Sequence, residues 1–262
     1  MSGARPAGAA GPVEERLPRS SALRRGTVIV LGAAFGILWL GGVATYAAAD
    51  APPEGLRWTA PVFLALALAL AMASAQPKAR GAILLAGAIG WAAEVIGLHT
   101  GWPFGAYAYG DALGPKPLGA PLAIGAAWGV LAAAACGFAR ARWQGWRALA
   151  AAAAWLVAAD LSIDPVASSR LGFWTWEGEG AFFGVPAMNF GGWFVVGLLA
   201  SAPLVRRSPT SGPAWVGLSL VIFFAAVSLL SGLWLPAAIG AALVALHLLV
   251  ARRPDGAAGG AA

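Results

Sequence analysis

The stretch AAAAAWLVAADLSIDPVASSRLGFWTWEGEGAFFGVPAMNFGGW, residues 150–193, passes from an alanine-rich apolar run, across two aspartates four positions apart, into an aromatic and glycine-rich loop, and back into an apolar run. A helix needs roughly 20 apolar residues to cross a bilayer's hydrocarbon core, and the segment before Asp164 is one such run. The rest of the chain has the same character. Of 262 residues, 60% are apolar and 11% charged, with a mean hydropathy of +0.75. A soluble domain of this size needs a charged shell that this composition does not supply. The sequence therefore reads as an all-helical integral membrane protein, and the missing strand alternation argues against an outer-membrane barrel.

Eight apolar runs are legible, at about 28–49, 58–75, 79–98, 119–139, 147–166, 189–205, 213–231 and 233–250, with seven spans as the alternative count. The last two are separated only by Ser231, Gly232 and Leu233, as in a tight helical hairpin. Placing the amino terminus inside puts 14 of the 17 Lys and Arg on the inner side and leaves Arg57, Lys116 and Arg170 outside. That asymmetry is what the positive-inside rule expects of an inner (cytoplasmic) membrane protein with both termini in the cytoplasm. It also accounts for the formal charge of +6 without nucleic acid. Residues 1–26 and 252–262 read as disordered tails flanking a membrane domain over 27–251. The first run is long for a signal peptide and reads as a retained helix. Cys136 is the single cysteine, so neither a disulfide framework nor a cysteine metal site is expected.

Glu94, Asp160 and Asp164 fall inside or at the edge of apolar runs, where an ionisable group is costly and its default reading is functional. Asp160 and Asp164, at i and i+4, share one helix face. The plainer alternatives are helix capping or pairing with a loop arginine such as Arg170. The loops after these acids resemble each other. GAPLAIGAAW, residues 119–128, aligns with GVPAMNFGGW, residues 184–193, so that Pro121 and Trp128 correspond to Pro186 and Trp193. This reads as a parallel internal repeat over about 79–139 and 147–205, each unit a helix, an acid, an aromatic loop and a proline-started helix. A pseudo-two-fold along the membrane normal would turn the acids toward one cavity. The loops carry Trp102, Phe104, Tyr107, Tyr109, Phe173, Trp174, Trp176, Phe182 and Phe183. Interfacial belts also contain Trp and Tyr, but loops of this length call for a purpose, and they read as a roof over an apolar cavity with Asn189 beneath.

What is missing narrows the chemistry. The two histidines, His99 and His247, are too few for a membrane di-iron centre, and no glycine-rich dinucleotide fingerprint follows a strand. His247 reads as a packed core histidine, whereas His99, close to Glu94, is a candidate for the site. Acid chemistry without a redox cofactor or a metal remains. A carboxyl in an apolar pocket can stay a proton donor near neutrality. Protonating a trisubstituted alkene gives a tertiary carbocation, which aromatic faces stabilise by about 2 kcal/mol or more when water is excluded. A second carboxylate could orient water or remove a proton.

Residues EVIGLHTGWPFGAYAYGDALGPKPLGAPLAIGAAW (94–128) together with DLSIDPVASSRLGFWTWEGEGAFFGVPAMNFGGW (160–193) resemble the carotenoid biosynthesis membrane protein family, with its 1,2-hydratases of the γ-carotene 1'-hydratase and bisanhydrobacterioruberin hydratase types. The resemblance covers roughly residues 85–200. It implies cofactor-independent addition of water across the terminal double bond of an acyclic carotenoid end. On that reading Glu94, Asp160 and Asp164 are catalytic, with Asp160 or Glu94 as the proton donor. His99, Trp102, Phe104, Tyr107, Tyr109, Trp128, Trp174, Trp176, Asn189 and Trp193 would contact the substrate. The expected partners are the carotenoid, water, membrane lipid and other carotenoid enzymes. Three alternatives stay open: a lycopene-cyclase-like isomerase using the same protonation, a membrane prenyltransferase, and a proton-coupled transporter.

Overall fold

The computed structural model describes residues 19–49, 52–207 and 211–251. Among these, eight helical segments are long and apolar enough to cross a membrane: α1 (Arg19–Ala48), α2 (Thr59–Ser74, whose span also takes in the 3-10 turn Glu54–Leu56), α3 (Pro77–Thr100), α4 (Leu122–Arg140), α5 (Gly145–Ser169), α6 (Ala187–Val205), α7 (Ser211–Leu230) and α8 (Trp234–Ala251). The all-helical membrane reading holds, and each apolar run became one helix. Two boundaries moved. Helix α1 begins at Arg19, inside the stretch read as an amino-terminal tail; the rest of that tail and the carboxy-terminal one lie outside the described residues. Helix α5 continues through Pro165 to Ser169. Helices α7 and α8 form the expected hairpin, its reversal taken by Gly232 at φ +75°, a left-handed conformation that glycine adopts at no steric cost.

Helices α4 and α5 form the centre of the bundle, and α1 packs at its edge against α2 and α7. Hydrocarbon offers no hydrophobic drive between helices, so close packing of small residues has to bring them together. The contact between α3 and α4 is of this kind: a Cβ added at Gly87 would lie 2.5 Å from the carbonyl oxygen of Gly125. One turn further along α3, Gly90 leaves room for the Trp128 indole, whose Cγ would sit 2.1 Å from an added Cβ. The small residues thus set both the helix spacing and the place of a large side chain in the site.

Two three-residue strands, β1 (Tyr107–Tyr109) and β2 (Trp174–Trp176), join the α3–α4 and α5–α6 loops as an antiparallel ribbon, with Tyr107 opposite Trp176 and Tyr109 opposite Trp174. Strands this short carry no alternation that a sequence window can detect. Yet Y-A-Y and W-T-W have the strand period of two, which turns the four aromatic rings to one face and leaves Ala108 and Thr175 exposed. Lys116 pins the turn after β1. Its ammonium donates to the carbonyls of Tyr109 and Gly110 and pairs with Asp111 at 2.7 Å, holding the Asp111 carboxyl below its usual range.

Exposed tryptophans mark both ends of the bundle. Trp58, Trp102 and Trp234 lie at the ribbon end, and Trp143, Trp146 and Trp215 at the other. This is the arrangement of the aromatic belts that flank a hydrocarbon layer.

Candidate active site

Glu94 is buried near the end of α3, and three donors converge on its carboxylate. Tyr107 and Tyr109 of β1 donate their hydroxyls to Oε2 at 2.5 and 2.8 Å, and Trp128 of α4 donates Nε1–H to Oε1 at 3.0 Å. The Trp128 ring stacks on Trp193 of α6 with centroids 4.1 Å apart. Each tryptophan lies seven residues after the proline that precedes its helix, Pro121 for α4 and Pro186 for α6. Two equal intervals therefore bring two indoles face to face across the helix pair.

On α5 the i, i+4 spacing puts Asp160 and Asp164 on the same side, both 1% exposed. The Asn189 amide of α6 lies between them, donating to Asp160 Oδ2 at 2.7 Å and to Asp164 Oδ2 at 2.9 Å. Asp164 Oδ1 accepts two further bonds, from the indoles of Trp174 and Trp176 of β2 at 2.9 and 3.0 Å. The two acids thus differ sharply in their surroundings. Asp164, like Glu94, has three donors aimed at it; Asp160 has the single bond from Asn189 among the described residues. Donors favour the charged form of a carboxyl, and their absence in a buried place favours the neutral one.

All three carboxyls face one cavity of about 710 Å³ of empty space, counted to its mouth and closed above by the ribbon. Its walls are apolar and aromatic, and among the described residues no Lys or Arg lines it. No group of three or more His, Cys, Asp or Glu among the described residues is arranged to hold a metal ion.

The sequence model described as carotenoid biosynthesis protein matches residues 57–247. The chain belongs to that family. The match takes in the whole cavity wall, from Leu64 to Phe224. Over 117 residues the chain is 36% identical to bisanhydrobacterioruberin hydratase of Haloarcula japonica, a stretch that covers 41% of this chain and 38% of that protein. The chain thus spans well under half the length of this relative. No solved structure matches it.

In this member of the carotenoid biosynthesis protein family, the cavity gathers most of the residues expected from the sequence: Glu94, Asp160, Asp164, Phe104, Tyr107, Tyr109, Trp128, Trp174, Trp176, Asn189 and Trp193. His99 and Trp102 are not among them. His99 is five residues beyond Glu94, which turns it about 140° around the helix; it is exposed, with Nδ1 2.7 Å from its own helix's Val95 carbonyl. Trp102 is 61% exposed and belongs to the belt described above. Phe182 and Phe183 also leave the roof, packing with each other, and Phe182 packs on Phe190 as well. The carboxyls are bonded to indole, phenol and amide donors, beyond the simple capping considered from sequence. Leu220 and Phe224 of α7 are wall residues that sequence reasoning missed, because a uniformly apolar helix does not show which of its faces meets a cavity. His247 is buried between Phe138 and Trp155, as a packed core histidine.

Burial first, and then the nearby Glu94 charge, hold the phenols of Tyr107 and Tyr109 well above the usual tyrosine range. A raised value means that they remain O–H donors as pH rises through about 10, where a free tyrosine ionises. Tyrosinate absorbance near that pH should therefore be the same in the native protein and in a Tyr107→Phe/Tyr109→Phe variant. A smaller signal in the variant would show that these phenols titrate normally.

Proposed function

We propose that the protein is a carotenoid 1,2-hydratase, a hydro-lyase that adds water to the terminal double bond of an acyclic carotenoid end without a cofactor. The observation that carries this reading is the unequal acid pair: a donor-poor Asp160 beside a donor-rich Asp164, in an apolar cavity walled by aromatic rings. The family and the hydratase relative support the substrate class.

On this reading Asp160 carries the proton. It protonates the less substituted carbon of the terminal alkene, and the positive charge forms on the neighbouring tertiary carbon. Rings of Trp128, Trp193, Tyr107 and Trp176 line the cavity around that cation, and Glu94 and Asp164, each accepting three hydrogen bonds, turn carboxyl oxygens toward it. Asp164 Oδ2 keeps an acceptor position for a water, whose oxygen bonds to the tertiary carbon. The proton released by that oxygen returns to Asp160. One water is consumed per end, the product is a tertiary alcohol, and the acid is restored.

The isomerase reading shares the first step and differs in whether a second alkene or a water captures the cation; the spare acceptor on Asp164 beside the protonated acid favours water. A prenyltransferase would need cations for a diphosphate, and the cavity wall offers no Lys or Arg among the described residues. A transporter would need an open aqueous route, which the aromatic ribbon over the acids does not favour. The charge asymmetry supports placement in the cytoplasmic membrane with both termini inside.

The test is chromatography and mass spectrometry of pigments from cells making lycopene, with and without the protein. A gain of one water per modified end is expected. An isomer of unchanged mass would replace the hydratase with a cyclase, and unchanged pigment with lycopene, γ-carotene and a C50 precursor alike would overturn the reading.

A further inference from the structure

A second, larger cavity adjoins the acid site. It spans about 1720 Å³ counted out to its open side and lies between α1, the start of α2, the loop after α5 and α7. Leu64, Phe173 and Phe224 belong to both cavities and form the partition between them. Its walls are mostly apolar, with Ile37, Leu38 and Gly41 of α1 facing Phe63, Phe223 and Phe224, and its charged groups, Arg57 and Asp111, lie in the flanking loops. Helix α1, which forms one wall, is scarcely buried along its span, so the chamber is bounded on that side by a single helix.

We propose that this chamber holds the polyene body of the substrate, which threads past Leu64, Phe173 and Phe224 to present its end to Asp160. The inference rests on the hydratase reading for the identity of the occupant. Three features argue for this occupant. The chamber lies directly against the acid site, separated from it by only three side chains. It is the larger of the two, as a substrate with a short reacting end and a long inert body requires. Its apolar wall matches a hydrocarbon chain, and its aromatic side chains, among them Phe63 and Phe223 with rings 4.9 Å apart, suit a conjugated plane.

Gly41 allows a direct test, because a Cβ added there meets nothing within 4 Å. Gly41→Trp and Thr45→Trp fill the chamber from two neighbouring positions of α1, neither of which lines the acid site. The measurements are lycopene retained per protein after detergent purification from lycopene-producing cells, and conversion of that lycopene. We expect retention to fall at least tenfold in both chamber variants and to persist in Asp160→Asn, which binds without converting. Retention equal to wild type in the chamber variants, or co-purified lipid without pigment in the wild type, would overturn the inference. Pigment bound by the wild type but never hydrated would remove the hydratase reading and leave the chamber assignment standing.

Discussion

Asp160→Asn should abolish water addition while leaving the bundle folded. The amide is nearly isosteric, and it can accept the Asn189 hydrogen bond through its oxygen. What it lacks is the proton. A positioned general acid contributes typically about 10²–10⁴-fold, and alkene protonation has no other donor with a comparable geometry in this cavity: the phenols of Tyr107 and Tyr109 are committed to Glu94, and Asp164 is held by three donors. Conversion of bound lycopene, followed by mass, is the readout. Thermal unfolding in detergent checks the fold and should be close to native. Activity within a few fold of wild type would transfer the donor role to another carboxyl.

Glu94→Gln should be nearly as severe, for a different reason. The carboxylate accepts from two phenols and one indole, and an amide presents two donors to that same set. To meet that amide the phenols would have to turn from donors into acceptors, and a buried polar group left unsatisfied by the rearrangement costs about 1–3 kcal/mol. On the proposed mechanism the substitution would also replace a carboxyl that faces the forming cation, an electrostatic loss of about 10²–10³ in rate by analogy with other preorganised sites. The variant should therefore lose both stability and turnover, whereas Asp160→Asn loses turnover alone. A Glu94→Gln protein as stable and as active as wild type would show that Glu94 is ordinary packing.

The helices and the acids were legible because a bilayer imposes strong rules on composition: apolar runs of fixed length, and a high cost for each carboxyl inside them. The pairing of roles was not legible. Counting back from the prolines aligns Glu94 with Asp160, yet in hydrogen bonding the counterpart of Glu94 is Asp164, since each takes two donors from alternate residues of its strand, Tyr107 and Tyr109 or Trp174 and Trp176. A strand of three residues inside a glycine-rich loop leaves no periodic trace, so the ribbon that decides this pairing was invisible. His99 misled for the opposite reason: nearness along the chain to Glu94 suggested nearness in space, but the helix turns it away. Leu220 and Phe224 needed the tertiary packing, because every face of α7 is equally apolar in sequence.

The ribbon that covers the cavity is also what supplies four of the donors to Glu94 and Asp164. Covering and charging are therefore the same act. Because β1 and β2 are bonded to each other, lifting either loop strains the other, and any displacement that admits a large molecule from above withdraws phenol and indole from both carboxylates at once. The hydrogen bonding of both acids is thus complete only with the ribbon in place, and the cover of the site is at the same time part of its wall.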